Sequence, residues 1–519
     1  MGKKQSKGCV AAGHPVTAEA GAAMLASGGN AFDAAIAAAL TACVSESVLT
    51  SLAGGGFLLA HTAQGHDTLF DFFTQTPQQK TCRRPLDFYP IEANFGATTQ
   101  QFHIGLGAIA TPGVLKGLVH VHRRLGRLPL AAVAEPAIHW AKAGVPVNAF
   151  QAYCYELLTP ILTANPAVRA VYAPQGSPLR CGDRFYLSDF ATTLGQLVND
   201  PDDFYHRAIA AQIVQDCQQQ GGYLTAADLT NYGVIERSPL QIRYRGATLL
   251  TNPPPSSGGT LIAFALRLLE QIDFGHLRPG SPAHLQMLAT VMRLTNQARR
   301  DGYDANLYRD NIDDFFLSAA HLASYTADLG AAASKWGSTT HISVIDGEGN
   351  AASITTSNGE GSSYMIPGTG IMMNNMLGEE DLNPQGFHRW QINQRMSSMM
   401  APTLLLVQGR PCLALGSGGS NRIRTAILQV ISNLLDFDMP VEAAVKAPRI
   451  HWERGVLNLE PGFDRTQIEA LPGWAVDEWI WWQQQNMFFG GVHAVMAHAD
   501  GRIEGAGDTR RCGAIAAVE

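Results

Sequence analysis

Four short loops in the second half of the chain gather hydroxyl, amide and carboxyl side chains beside stretches with strand character. They are Gly337-Ser338-Thr339-Thr340-His341, Thr356-Ser357-Asn358-Gly359-Glu360-Gly361, Ser397-Ser398-Met399-Met400-Ala401-Pro402 and Gly416-Ser417-Gly418-Gly419-Ser420-Asn421-Arg422. The hydroxyls are candidate nucleophiles, and small residues in a loop let backbone N–H groups approach a developing oxyanion. Singly, each signal is weak. A threonine at a strand start is most often structural, and a GSGGS loop is most often a turn or a helix cap. The G-x-S-x-G of a nucleophile elbow is missing, because Leu415 stands two residues before Ser417.

The elements that must carry these loops show in the patterning. Residues 14–45 read as two alanine-rich helices broken at Gly28-Gly29-Asn30, with Asp33 suited to the positive end of the second. Residues 52–61 read as a glycine turn feeding a buried strand. Residues 104–150 alternate loops and helices, with turns at 111–113 and 143–145, and 190–237 read as mostly helical. Asn252–Thr260 is an extended loop before a helix at 260–272, and a further helix is expected at 282–300. The weakly patterned residues 319–338 read as a mobile segment. Thr339–Ile345 and Ala351–Ser357 then form a hairpin about the turn at 346–350, and more strands are expected at 369–373, 403–407 and 411–415.

Bulk properties exclude several classes. The 519 residues suffice for a large core, and charged residues are 16%, against about 25% in typical domains. A net charge of −7 with no basic run argues against nucleic acid as a partner. The apolar stretch Ala34–Val44 is too short to span a bilayer, so no membrane partner is expected. The basic start, broken at Gly13-His14-Pro15, does not read as a secretory signal. The eight cysteines form no CxxC, and His120 and His122 are the nearest approach to a metal pair. Scattered thiols fit a cytoplasmic protein. No metal and no cofactor is expected.

Taken together and in order, the strings resemble the gamma-glutamyltransferase family over nearly the whole chain. The densest are THISVIDGEGNAASITTSNGEGS (340–362), GTGIMMNN (368–375), RMSSMMAPT (395–403), GSGGSNRIRTAILQV (416–430) and APRIHWE (447–453). HPVTAEAGAAMLASGGNAFDAAIAAAL (14–40), ATPGVLKG (110–117), PPPSSGGT (253–260) and GAGDTRRCGAIAAV (505–518) also match the family's pattern. The resemblance implies an amino-terminal-nucleophile hydrolase: a four-layer αββα sandwich, made inactive, that cuts itself between Ser338 and Thr339. The large subunit would be residues 1–338 and the small subunit residues 339–519, and the two would stay associated. The freed α-amino group of Thr339, with a reference pKa of about 7.7–8, can then serve as general base for its own hydroxyl.

By the same resemblance, Ser357 is the second hydroxyl beside the nucleophile, and Gly419 and Ser420 donate the oxyanion-hole N–H groups. Asn358, Glu379, Ser397 and Ser398 bind substrate, with Glu380 and Asp381 as acidic neighbours of Glu379. Three departures concern the glutamyl-reading positions. Phe73 replaces the arginine expected for the substrate α-carboxylate, Met376 replaces a glutamine, and the segment from Glu379 to Ser397 is short for a lid. A phenyl ring cannot imitate a bidentate guanidinium. The expected function is therefore a self-processing gamma-glutamyltransferase-like enzyme acting on a small amide or peptide. The alternatives are an acylase for a non-glutamyl side chain and a non-catalytic relative that keeps the fold as a binding protein. A homo-oligomer is compatible with all three.

Overall fold

Asn30 divides the first two helices, Pro15–Ala26 and Ala31–Ser45, in the computed structural model of the chain, which describes residues 6–82, 84–94, 99–325, 339–383 and 385–519. The Asn30 side chain accepts from the N–H groups of Phe32 and Asp33, and the Asp33 carboxylate accepts from the Asn30 N–H at 3.0 Å. This reciprocal cap satisfies donors that a helix start leaves open, and such caps stabilise by about 1 kcal/mol. All of Ala31–Ser45 is buried. Its alanines let the helix lie close on the strands Thr340–Asp346 and Ala351–Ser357.

Those two strands sit at the middle of a seven-stranded antiparallel sheet. Its order is Ala514–Val518, Gly8–Ala12, Thr340–Asp346, Ala351–Ser357, Gly55–His61, Asp67–Phe72 and Ile235–Arg237. A six-stranded sheet runs Ile503–Ala506, Gly491–Ala497, Arg410–Gly418, Thr403–Val407, Ala247–Thr251 and Leu240–Tyr244. The sheets pack face to face, Thr340–Asp346 lying against Arg410–Gly418 and Gly491–Ala497. Strand alternation builds two cores at once. Leu58, Ala60, Ile342, Val344 and Ile354 face the helices, while Phe57, Leu59, Ile345 and Ala351 face the second sheet. Helices Ser257–Leu269 and Arg422–Leu435 cover the second sheet's far side. The result is the expected αββα order.

Each sheet draws strands from both sides of residue 339. Gly8–Ala12 is hydrogen-bonded between Thr340–Asp346 and Ala514–Val518, and Ala247–Thr251 pairs with Thr403–Val407. A break before Thr339 would leave both cores crossing it.

Several expectations need correction. Residues 369–373 are not a strand. Gly368 and Gly370 adopt φ of 71° and 66°, which ends extended pairing, and only an isolated bridge from Met372 to Met365 remains. The strand foreseen at 411–415 runs from Arg410 through Gly418, so Gly416, Ser417 and Gly418 of the glycine-rich loop are sheet. The helix foreseen at 260–272 is Ser257–Leu269, and that at 282–300 is Pro282–Ala298. The helical region 190–237 closes on the edge strand Ile235–Arg237. Of the segment 319–338, Ala319–Ala323 is a short helix, and 326–338, including Gly337 and Ser338, lies outside the described residues. Among the described residues no helix is long and apolar enough to cross a membrane. All eight cysteines are free thiols. His120 bonds Glu236 at 2.7 Å and His122 bonds the Leu128 carbonyl, so the two rings do not converge on one point.

Candidate active site

The strand Thr340–Asp346 begins one residue after Thr339, and its register pairs Thr340 with Thr356. Thr339 and Ser357 therefore stand at matched ends of adjacent strands. Thr339 is nearly enclosed, at 5% exposure. Its carbonyl oxygen accepts a hydrogen bond from Arg511 Nη1 at 2.9 Å.

The glycine-rich loop arrives from the other sheet. A Cβ at Gly418 would lie 2.1 Å from the Thr339 carbonyl oxygen, a distance no side chain tolerates, so only glycine allows this approach. Beyond it the backbone turns sharply. Gly419 has φ 123° and Ser420 φ 50°, and the helix Arg422–Leu435 follows, with the Arg422 N–H donating to the Gly419 carbonyl. A tight turn can bring successive backbone N–H groups into an anion-binding concavity. This one lies beside Thr339.

Thr339, Ser357, Ser398 and Ser420 share the wall of one cavity. The rest of the wall is Phe73, Met376, Leu382, Met399, Met400 and Ile423, with Gly359 and the two acids Glu379 and Asp381. Among the described residues no lysine or arginine lines it. Phe73 is fully buried and stacks on Phe57 with ring centres 5.3 Å apart. The nearby Arg395 lies behind it, its Nη1 donating to the Phe73 carbonyl and to the Tyr232 hydroxyl, its Nη2 to the Gly233 carbonyl. That cation serves the backbone of the loop rather than the cavity.

The acids differ in setting. Burial, with the Glu360 carboxyl beside it, pushes Glu379 well above the usual carboxylate range. Asp381 is partly exposed as a residue, but its carboxyl is enclosed and accepts from the Ser420 hydroxyl. Burial pushes that carboxyl up, and the hydrogen bond together with Arg422 and Arg299 opposes the shift.

The one histidine in the first loop is not a base for Thr339. His341 is buried, its ring nitrogens bonded to Thr355 Oγ1 at 2.8 Å and Ser343 Oγ at 2.9 Å, and desolvation drives its pKa well below the usual value. Behind the site, the Thr340 hydroxyl donates to the buried Glu46 carboxyl, which also accepts from Thr17 at 3.0 Å. Desolvation pushes Glu46 up to about 7, with those hydrogen bonds and Arg511 opposing it.

Of the residues singled out in the sequence, Thr339, Ser357, Ser398, Ser420 and Glu379 meet at one wall. Gly419 is not on that wall and precedes Ser420 in the turn, with φ 123°. Ser397 is off the wall and meets Ser257 Oγ at 3.2 Å. Asn358 is fully buried beside the cavity, its Nδ2 donating to the Met372 and Met373 carbonyls at 3.4 Å. Sequence reasoning missed Arg511, which holds the Thr339 carbonyl, Glu46, which holds the Thr340 hydroxyl, and Met399 and Met400 as wall. The string RMSSMMAPT contained the methionines, but nothing local marks a buried methionine as cavity lining.

Two sheets between helices, with a threonine at the head of a central strand facing a glycine turn, define an amino-terminal-nucleophile hydrolase. The gamma-glutamyltranspeptidase family model matches residues 17–518, and the chain belongs to that family. It is 32% identical to an acylase ACY 1 proenzyme of Pseudomonas sp. (strain SE83), over 99% of this chain and 94% of that protein. It is 30% identical to the glutathione hydrolase proenzyme of Escherichia coli (strain K12), over 98% and 91%. The crystal structure of cephalosporin acylase from Bacillus halodurans superposes with a TM-score of 0.85 at 25% identity, covering 99% of this chain and 96% of that one. The chain is thus an amidohydrolase or acyltransferase of the amino-terminal-nucleophile class.

Proposed function

We propose that the chain is an amide acylase whose preferred acyl group lacks a free α-carboxylate, and that it cuts itself between Ser338 and Thr339 to become active. In the cut enzyme the α-amino group of Thr339 takes the proton from its own hydroxyl. The Thr339 oxygen attacks the amide carbonyl, and the Gly419 and Ser420 N–H groups receive the negative charge. The amine departs with the proton. Water, deprotonated by the same α-amine, then hydrolyses the acyl-threonine ester, releasing a carboxylic acid and restoring Thr339.

The observation that carries the substrate class is Phe73 on a cavity wall with no cation among the described residues. An α-carboxylate placed there would lose water without gaining a charged partner. The methionines, Leu382 and Ile423 suit a mainly apolar acyl chain, and Glu379 with Glu360 offers one polar end. Acylase proenzymes among the relatives are in keeping with this reading. The interleaved sheets support fragments 1–338 and 339–519 remaining together after the cut.

The test compares kcat/KM of the cleaved enzyme for gamma-glutamyl anilide, the same compound with its α-carboxylate amidated, and glutaryl anilide. The amidated compound is expected to be preferred to both carboxylates. A clear preference for unmodified gamma-glutamyl anilide overturns the reading.

A further inference from the structure

We propose that Asp381 is a positioning residue that holds the oxyanion-binding turn in its working shape through the Ser420 hydroxyl. The inference rests on the reading of Gly419-Ser420 as the oxyanion turn.

Ser420 is the anomaly that leads there. Its φ of 50° lies in the left-handed region, where glycine is at ease and a side chain is strained. A glycine already precedes it at Gly419, with φ 123°. A serine at this point needs a compensating contact, and the contact is present: its Oγ donates to Asp381 Oδ2. A hydrogen bond to a carboxylate is among the stronger kinds a hydroxyl can make. It ties the Ser420 side chain to a fixed point and so orients the Ser420 N–H on the same residue.

The fixed point is itself well held. Asp381 lies in the short turn Glu380–Leu382. Asn383 clamps that turn, its Nδ2 donating to the Glu379 carbonyl at 2.7 Å and to the Met376 carbonyl at 3.1 Å. The Leu382 N–H donates to the Glu379 carbonyl at 3.2 Å. The same turn brings Glu379 to the wall, so one clamp sets both the acid end of the acyl cavity and the strut of the oxyanion turn. Asp381 also faces a second, polar cavity, with Arg299, Asn421 and Glu453 in its wall. Arg299 and Arg422 stabilise the charged form of Asp381, and Glu453 opposes it. The carboxylate therefore stands between the apolar acyl cavity and a charged neighbour, its Oδ2 turned to Ser420.

The role differs from substrate binding in what it touches. A carboxylate that read the substrate would show in KM, whereas one that shapes the turn shows in kcat, because the oxyanion exists only in the transition state. The experiment measures kcat and KM of cleaved Asp381→Ala, Asp381→Asn, Ser420→Ala and the double alanine variant with one acyl anilide. Losing an oxyanion donor outright costs about 10²–10³ in rate, so misplacing one is expected to lower kcat roughly tenfold to a hundredfold. KM should move less than about threefold. The double variant should be no slower than either single alanine variant, since both remove the same bond. Asp381→Asn, whose amide oxygen can still accept from Ser420, should recover most of the rate. Additive losses in the double variant, or a raised KM at unchanged kcat in Asp381→Ala, overturn the proposal. If the wild type cleaves none of the anilides, the acyl-class reading fails by itself. Asp381 is then judged by the rate at which an acyl fluoride labels Thr339, read by intact mass. The same losses and the same rescue are expected, and equal labelling of all variants overturns it. A variant that stays uncut is replaced by Asp381→Asn against Ser420→Ala, with unequal losses the supporting result and equal losses the contrary one.

Discussion

The Arg511 guanidinium donates a hydrogen bond to the carbonyl oxygen of Thr339 at 2.9 Å, across 172 residues of sequence. Both groups are buried, and the contact holds the main chain of Thr339. A charged hydrogen bond is worth about 1.5–3 kcal/mol. Arg511→Gln is therefore expected to lower kcat/KM about tenfold to a hundredfold, at 1.4 kcal/mol per tenfold. Steady-state kinetics on the cleaved variant check this, and unchanged kinetics would mean that Arg511 only fills space.

Gly418 meets the same carbonyl from the other sheet. A methyl group there would sit 2.1 Å from the oxygen, and backbone on both sides cannot give way cheaply. Gly418→Ala is expected to destabilise the fold by about 1–3 kcal/mol, as overpacking does, and to slow self-cleavage. Urea unfolding and the fragment pattern on a gel give both readings. A variant as stable and as fully cut as the wild type would contradict the placement of the loop.

Glu46 makes stability depend on pH. Its folded-state pKa of about 7 stands above the usual value of 4.5, so the fold favours the protonated form. Stability is fully present below the unfolded value and falls as pH rises through the folded one, between about 4.5 and 7. At 1.36 kcal/mol per unit, the loss at pH 8 is on the order of a few kcal/mol. Glu46→Gln keeps the hydrogen-bonding shape and removes the titration. The difference in Tm between variant and wild type should therefore move in the variant's favour from pH 5 to pH 8. A difference that stays constant would show that Glu46 does not titrate in this window.

Phe73→Arg puts a guanidinium where the family resemblance expects one. It should raise kcat/KM for gamma-glutamyl anilide about tenfold to a hundredfold, by the worth of one charged hydrogen bond, while lowering stability by the loss of the stack on Phe57. No gain, in a variant shown to be folded and cut, would mean that the carboxylate is read by another group.

What the sequence made legible was local. The Asn30 cap, the hairpin from Thr340 to Ser357 and the alanine-rich helix against it follow from short-range patterns: a capping side chain, alternation about a turn, small residues in a row. What it left hidden was long-range. The strand Arg410–Gly418 runs into its glycines only because Gly491–Ala497 pairs with it, and glycines carry no strand signal of their own. The stretch 369–373 looked like strand because Ile371, Met372 and Met373 are apolar, yet the flanking positive-φ glycines fold it into the cavity's surroundings. Glu379 and Ser398 were named through family resemblance and do reach the wall, whereas Asn358 and Ser397 lie beside it, a difference of one residue in register that no motif encodes. Arg511 lies in the matching string 505–518, but nothing in that string ties it to Thr339, and Glu46 lies in none of the matching strings. They matter through where the fold brings them.

The central claim is that Thr339 becomes the amino terminus of a 181-residue fragment, 519 − 338. Intact-mass analysis with amino-terminal sequencing of the purified protein tests it most directly. Two chains are expected, of 338 and 181 residues, the smaller one beginning Thr339-Thr340-His341, and a single uncut chain for Thr339→Ala. One chain of 519 residues in the wild type, or a cut at another bond, would contradict it.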